Sequence, residues 1–385
     1  MATEHVVLGL ALPRGRSQLA LEVREVTMKQ VRAAVCRAFK EPLVIEELQL
    51  APPAAGEVEV TLKACAVCHS DIAFADGAWG GKVPSVYGHE AAGIVSAVGA
   101  GVTGVAEGDR VIVTLIKSCG SCGACGAGLP AICSGSDNPA PLTDANGEKV
   151  FRAMYCGAFA DKTVVHASQV ATIPDDMPFD VASLLSCCVI TGVGSVVNAA
   201  KLKPGEAAVV IGAGGVGLNA IQGARIAGAG RIIAVDLVAE KLEDAKAFGA
   251  TDGVLASDGD PAAAVHGLLG RGADAVFVTV GATPAFNAAP DYLAPGGRVV
   301  LVGIPPTGDV ATYAPDVISS AGQSLIGTKM GNTVLARDIP WLTDLYAQGR
   351  LKLDELISAR WSLDEINEAI EDTKTGAARR NVIVF

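Results

Sequence analysis

Residues 207–217, Ala207-Ala-Val-Val-Ile-Gly-Ala-Gly-Gly-Val-Gly217, decide the fold of this chain. Five apolar residues without alternation read as a strand covered on both faces. Gly212, Gly214 and Gly217 then have the spacing of a tight strand-to-helix turn whose backbone can approach a phosphate. An Ala-rich helix follows through Ala227, and its first amides and positive dipole end favour an anion. Arg231-Ile-Ile-Ala-Val-Asp236 reads as the next strand. Its terminal carboxylate stands about 20 residues on, where it would bind adenosine ribose hydroxyls and repel a 2'-phosphate. Leu237 offers no compensating cation, so NAD is expected over NADP. A glycine turn alone is weak evidence, and a solvated aspartate beside a structural turn is the plainer alternative. The downstream Asp236 favours the dinucleotide.

The same grammar continues outward. Ala273–Val280 and Gly297–Val302 read as further strands, which makes residues 189–329 a doubly wound parallel sheet. Before Val189 the pattern is short strands broken by Gly and Pro, as in Gly93–Val98, Asp109–Thr114 and the strictly alternating Glu57–Leu62. Helical stretches at Ile339–Gln348 and Leu363–Thr373 precede a last strand, Asn381–Phe385. This tail is expected to return to the first domain, giving 28–188 plus 330–385 against 189–329. Met28-Lys-Gln-Val-Arg-Ala-Ala-Val35 reads as the start of the fold. Residues 1–27 read as an extension or a misassigned start; no clean cleavage site follows Val6–Leu12, so a signal peptide is not expected.

Composition narrows the class. The 385 residues carry a formal charge of -11 and no basic cluster, which argues against a nucleic-acid partner. No apolar run reaches membrane-spanning length. Ten cysteines in a long chain, spaced as metal ligands, point to a reduced cytoplasmic protein rather than a disulfide scaffold.

Four of them form Cys119-x2-Cys122-x2-Cys125-x7-Cys133. Short Cys-x2-Cys steps let one turn supply several tetrahedral thiolates, and an all-Cys set leaves no place for water. A structural zinc follows; free thiols in a loop are the alternative. A second set is dispersed: Cys68 and His69 in Cys65-Ala-Val-Cys-His-Ser-Asp71, His89 in Gly88-His-Glu90, and Cys187 in Ser186-Cys-Cys188. A catalytic zinc needs three protein ligands and an open position. Cys68, His89 and Cys187 offer that set, although each taken singly reads as a core residue. Cys188 is a rival for Cys187. Cys36, Cys65 and Cys156 read as packed thiols, and His5, His166 and His266 fit no motif.

Together the quartet, Gly-His-Glu and the glycine turn with Asp236 resemble the zinc-dependent medium-chain alcohol dehydrogenase family, from about Val31 to Phe385. The resemblance implies a GroES-like, mostly β catalytic domain and a Rossmann cofactor domain, with the active site between them. It implies two zinc ions per chain, with Cys68, His89 and Cys187 on the catalytic one; this is the ligand set known for alcohol dehydrogenase. It places Ser70 beside the reacting oxygen, Asp71 behind His89, and Glu90 behind the zinc. It places His69 and Arg380 on the pyrophosphate, Thr191 on the nicotinamide and Lys241 on the adenosine ribose, with Val280 and Val302 among the cofactor contacts. Gly212, Gly214, Gly215, Val216 and Gly217 form the turn. An ordinary surface cation at Arg380 and a solvated helix face at Lys241 are the alternatives. By position, Trp79, Leu115, Ala153 and Met154 line the pocket, which suggests an apolar or aromatic alcohol. The family also implies a homodimer or homotetramer joined through cofactor-domain strand edges, such as the segment after Val300.

Departures matter. Ala73 stands where many relatives place a histidine that ends a proton relay, so Ser70 must pass its proton to a cofactor ribose, to water or to His69. The Cys133–Cys187 stretch reads as shorter than in liver-type enzymes. Trp79 and Asp137 stand near positions where a glutathione-adduct site would show acidic and arginine residues, and that signature is missing. The expected reaction is reversible NAD-linked oxidation of an alcohol to aldehyde or ketone. The alternatives are a nicotinoprotein that retains NAD, a non-zinc quinone or enoyl reductase, and a non-catalytic zinc- and nucleotide-binding regulator.

Overall fold

Strand Ala207–Ile211 lies fully buried at the centre of a six-stranded parallel sheet, in a computed structural model that describes residues 28–135 and 139–385. Numbered by appearance in the chain, the strands run 3-2-1-4-5-6, with Ala207–Ile211 first and Ser324–Gly327 at the far edge. All five pairings are parallel. The unbroken apolar run has its reason here, because both faces are covered. Val209 and Ile211 pack with Ile233, Val235, Val276 and Val278 on one face. Ala208 and Val210 pack with Ala234, Phe277, Leu218 and Ile221 on the other. Burial of each Val or Ile contributes about 1.5–3 kcal/mol, so a charge at Val209 would unseat the turn that follows.

The first part of the chain forms a closed barrel and a seven-stranded sheet. Strand Asn381–Val384 pairs with strand Glu57–Ala66, so the end of the described chain lies in this first sheet. The core that holds Cys68, Ile112 and Leu184 also holds Val210, Leu342 and Val382, which joins the two sheets through one apolar mass. Among the described residues no single helix is long and apolar enough to cross a membrane.

Three expectations are corrected. Glu57–Leu62 does not alternate strictly: Glu59 is fully buried, held by Lys29 at 2.8 Å and Ser96 at 2.7 Å. An ion pair and a hydroxyl there make an inward carboxylate tolerable. The helix expected from Ile339 begins at Leu335 and carries Pro340 inside it. Asp338 accepts from the Val334 amide at 2.9 Å, and buried Leu335, Ile339 and Leu342 anchor the helix, so packing outweighs the proline. Strand Ala273–Val278 stops short of Val280 because Thr279 turns its hydroxyl onto the carbonyls of Ile211 and Gly212, at 3.0 and 2.8 Å. Residues 1–27 and Asp137 lie outside the described residues.

Candidate active site

Helix His69–Ala75 starts at Cys68, and Asp71 ties that start to a distant strand. One Asp71 oxygen accepts from the Cys68 amide at 3.1 Å; the other accepts from the Gly88 amide at 2.9 Å and lies 3.0 Å from His89 Nδ1. Asp71 is buried and thus sets both the helix start and the His89 ring. His89 Nε2 is buried without a hydrogen-bond partner, a costly state unless a ligand meets it.

Cys187 comes from the junction of a 3-10 turn and helix Cys188–Gly194. Ligand atoms of Cys68, His89, Glu90 and Cys187 all lie within 4.8 Å of one another, and all four residues are buried. Cys188 turns away, its Sγ 3.4 Å from the Leu184 carbonyl. The Cys187 and His89 side chains hold the Cys68 thiol well below its ordinary range, while Cys68 and burial push Cys187 well above. Burial alone would lower His89; Asp71 and Cys68 reverse that and raise it. Burial lifts Glu90 to about 8, against the pull of Arg380. Two crowded thiols contending for a proton, beside an unpartnered imidazole nitrogen, are a donor set that a divalent cation would satisfy. The dispersed residues therefore fit zinc.

This cluster closes one part of a cleft of about 1000 Å³. Its wall includes Cys68, His69, Ser70, Trp79, Leu115, Ala153, Met154 and Cys187 from the first domain, and Thr191 just past the boundary. From the cofactor domain come Gly212, Gly214, Gly215, Val216, Gly217, Asp236, Lys241, Val280 and Val302, with Arg380 from the returning tail. Asp71, His89 and Glu90 stand behind the wall, buried.

Gly212 has φ +94°, and a Cβ there would strike Val280 at 2.4 Å. A Cβ on Gly217 would meet the Gly212 carbonyl at 1.8 Å. At Gly214 a Cβ would enter open space, so the cradle is clear of protein where a phosphate would approach. Asp236 accepts from the amides of Ala213 at 2.7 Å and Val238 at 3.0 Å, which locks the turn to the second strand. Leu237 beside it is 73% exposed. These residues fit a dinucleotide.

Arg380 is no surface cation. It is buried, donates to the Val67 carbonyl at 3.1 Å and lies 3.5 Å from Glu90. His69 stays accessible in the wall; burial and the cations of Arg380 and Lys241 lower its pKa. Sequence reasoning missed Met330, whose sulfur lies 3.8 Å from Cys187 Sγ and 3.7 Å from Thr191 Oγ1. Met330 has φ +52°, and nothing in its neighbours signals that placement. Phe74 was missed too; it meets Trp79 edge to face at 5.3 Å.

The cysteine quartet is separate. Cys122 precedes the short helix Gly123–Gly126, Cys125 lies inside it, and Pro130–Ile132 delivers Cys133. The four ligand atoms lie within 4.8 Å of one another. Amides of Cys125 and Ser134 lower Cys122 to about 5, and those of Ser121 and Cys122 lower Cys119 to about 7. Cys133 rises to about 11: the Cys119 amide draws it down, but burial and the neighbouring thiols outweigh that. A loop that aims amides at its own sulfurs suits a thiolate metal site.

Residues 54–175 match the alcohol dehydrogenase GroES-like domain and residues 215–348 the zinc-binding dehydrogenase domain. Alcohol dehydrogenase 1 of Pisum sativum is 35% identical over 371 residues, covering 91% of this chain and 96% of that one. The chain belongs to the zinc-dependent medium-chain alcohol dehydrogenase family. This dehydrogenase is also 35% identical to the NDMA-dependent alcohol dehydrogenase of Amycolatopsis methanolica, over 92% of its own length and 99% of the relative's. Among solved structures, benzyl alcohol dehydrogenase from Acinetobacter calcoaceticus superposes with a TM-score of 0.87 at 31% identity, over 93% and 99% of the two chains. An alcohol dehydrogenase zinc-binding domain protein from Burkholderia ambifaria gives 0.89 at 32%, over 93% and 100%. The fold of this dehydrogenase is the GroES-like domain with a Rossmann domain, and its activity is that of an oxidoreductase of the alcohol dehydrogenase class.

Proposed function

We propose that this protein is a zinc- and NAD-dependent dehydrogenase that interconverts an apolar or aromatic alcohol with its aldehyde or ketone. The observation that carries the reading is the buried meeting of Cys68, His89 and Cys187 in the cleft that the glycine turn also lines. When bound there, the two groups supply Lewis-acid polarisation of an alcohol oxygen and acceptance of a hydride. The protein's own residues do the rest. Cys68, His89 and Cys187 would hold the catalytic zinc, and Asp71 fixes the His89 ring for it. The Ser70 hydroxyl, in the cleft wall, takes the substrate proton and passes it to water or to accessible His69; Ala73 leaves no histidine further along. Trp79, Leu115, Ala153 and Met154 keep water from the reacting carbon. Arg380 and His69 hold the pyrophosphate, Thr191, Val280 and Val302 flank the nicotinamide, and Lys241 and Asp236 hold the ribose, with Asp236 excluding NADP. Cys119, Cys122, Cys125 and Cys133 would hold the second, structural zinc.

An alcohol panel with NAD and with NADP, alongside zinc quantification, tests this. Turnover of apolar alcohols with NAD and two zinc ions per chain is expected. No turnover, or equal use of NADP, overturns it. Likeness to an NDMA-dependent alcohol dehydrogenase favours a second reading, an alcohol:aldehyde oxidoreductase that keeps its NAD; mass analysis of denatured protein for retained nucleotide separates the two. The edge strand Ser324–Gly327 and the exposed Ile304, Val310 and Val317 support a homodimer or homotetramer, to be weighed by light scattering. Ten unpaired cysteines are consistent with a reduced cytoplasmic setting.

A further inference from the structure

The cleft wall is cationic on an acidic protein. Six basic side chains line it, Lys82, Arg152, Lys241, Lys329, Arg379 and Arg380, against the single carboxylate Asp236 among the described residues. Three of the six are committed to acids: Arg152 to Glu57 at 3.3 Å, Arg379 to Asp244 at 3.5 Å and Arg380 to Glu90 at 3.5 Å. Lys241 lies at the end marked by Asp236. That leaves Lys82 and Lys329, one from each domain, both exposed and neither ion-paired among the described residues. Lys82 belongs to the substrate wall. Its Nζ lies 5.0 Å over the Phe151 ring, and its carbonyl accepts from the buried Ser85 hydroxyl at 2.6 Å, which fixes the turn that carries it. A cation on an aromatic wall keeps its stem in apolar contact and its charge free for an anion.

We propose that Lys82 is a specificity-determining residue, selecting an alcohol or aldehyde whose apolar body ends in a carboxylate remote from the reacting oxygen. The inference rests on the alcohol dehydrogenase reading above. Phe151 takes the apolar body and Lys82 the carboxylate. Lys329 from the other domain adds to the attraction, which the chain's overall net charge of -11 would otherwise oppose.

Zinc- and NAD-loaded protein is titrated calorimetrically with 4-formylbenzoate and with 4-methylbenzaldehyde, which match in shape and differ in charge. Oxidised NAD gives an aldehyde no hydride, and absence of NADH fluorescence during the titration shows that the aldehyde hydrate is not being oxidised. The carboxylate is expected to bind about fivefold tighter at low salt, with the ratio shrinking as ionic strength rises. Lys82→Met should bring the ratio near parity and Lys82→Glu should invert it. A wild-type ratio near one, or a ratio that Lys82→Met leaves intact because the lysine merely covers Phe151, overturns the proposal. Failure of every alcohol to reduce NAD would sink the proposed activity while leaving this binding ratio to stand or fall on its own.

Discussion

The two cysteine sites of this molecule are built by opposite means. The quartet at 119–133 lies within one loop, exposed or half-buried, and draws its thiolate character from amides of that same loop. The Cys68, His89 and Cys187 site collects three separate segments in the interior. It depends on a buried carboxylate, Asp71, to orient what burial would otherwise disfavour. The first is a local knot that can form with little help. The second exists only once strands Glu57–Ala66 and Glu90–Val98 have paired and the helix at 188–194 has packed. A locally built site suits a structural metal, and an assembled one can leave a face toward a cleft.

The largest expected break in that contrast is Cys68→Ala. Removing several kcal/mol of Lewis-acid stabilisation corresponds to about a 1000-fold loss in kcat/KM, with NADH still bound and the quartet still metallated. Loss of both zinc ions would show that the sites are not independent. Asp71→Asn comes next: the interior site should lose about 10–100-fold in metal affinity, read by chelator competition, with the quartet unaffected. Equal weakening of both sites would deny Asp71 its orienting role. Cys122→Ala should release one zinc and lower Tm by roughly 5 °C, with kcat largely kept in the surviving folded fraction; a loss of kcat as steep as that of Cys68→Ala would erase the distinction. Smallest is Ser118→Ala. Its hydroxyl lies 3.2 Å from Cys125 Sγ, and its removal should speed metal loss from the quartet by about two- to fivefold.

The contrast also explains what was legible in the residues. The quartet and the glycine turn are local devices, so spacing carries them whole. Asp236 was readable because a strand of known length ends on it. Cys187 over Cys188 needed the family frame, since adjacent residues differ only in which way one turn of backbone points them. Met330 left no sign: its approach to Cys187 and Thr191 comes from a left-handed turn between domains, not from a motif. The alternation of Glu57–Leu62 gave no sign that Glu59 is buried, because it says nothing about the Lys29 and Ser96 that hold its carboxylate. The helix start at Leu335 was hidden by Pro340, whose local penalty the buried Asp338 and its apolar neighbours override.

Strand Asn381–Val384 has one further consequence. It docks on Glu57–Ala66 and brings Arg380 beside Glu90 and the Val67 carbonyl, about 300 residues after its partner left the ribosome. At about 5–20 residues per second, the early sheet waits roughly 15–60 s with an open margin. During that interval the nascent polypeptide carries unpaired backbone groups at the flank of its future cleft. Biosynthesis thus completes the parallel sheet that carries the glycine turn before the sheet that carries Cys68 and His89.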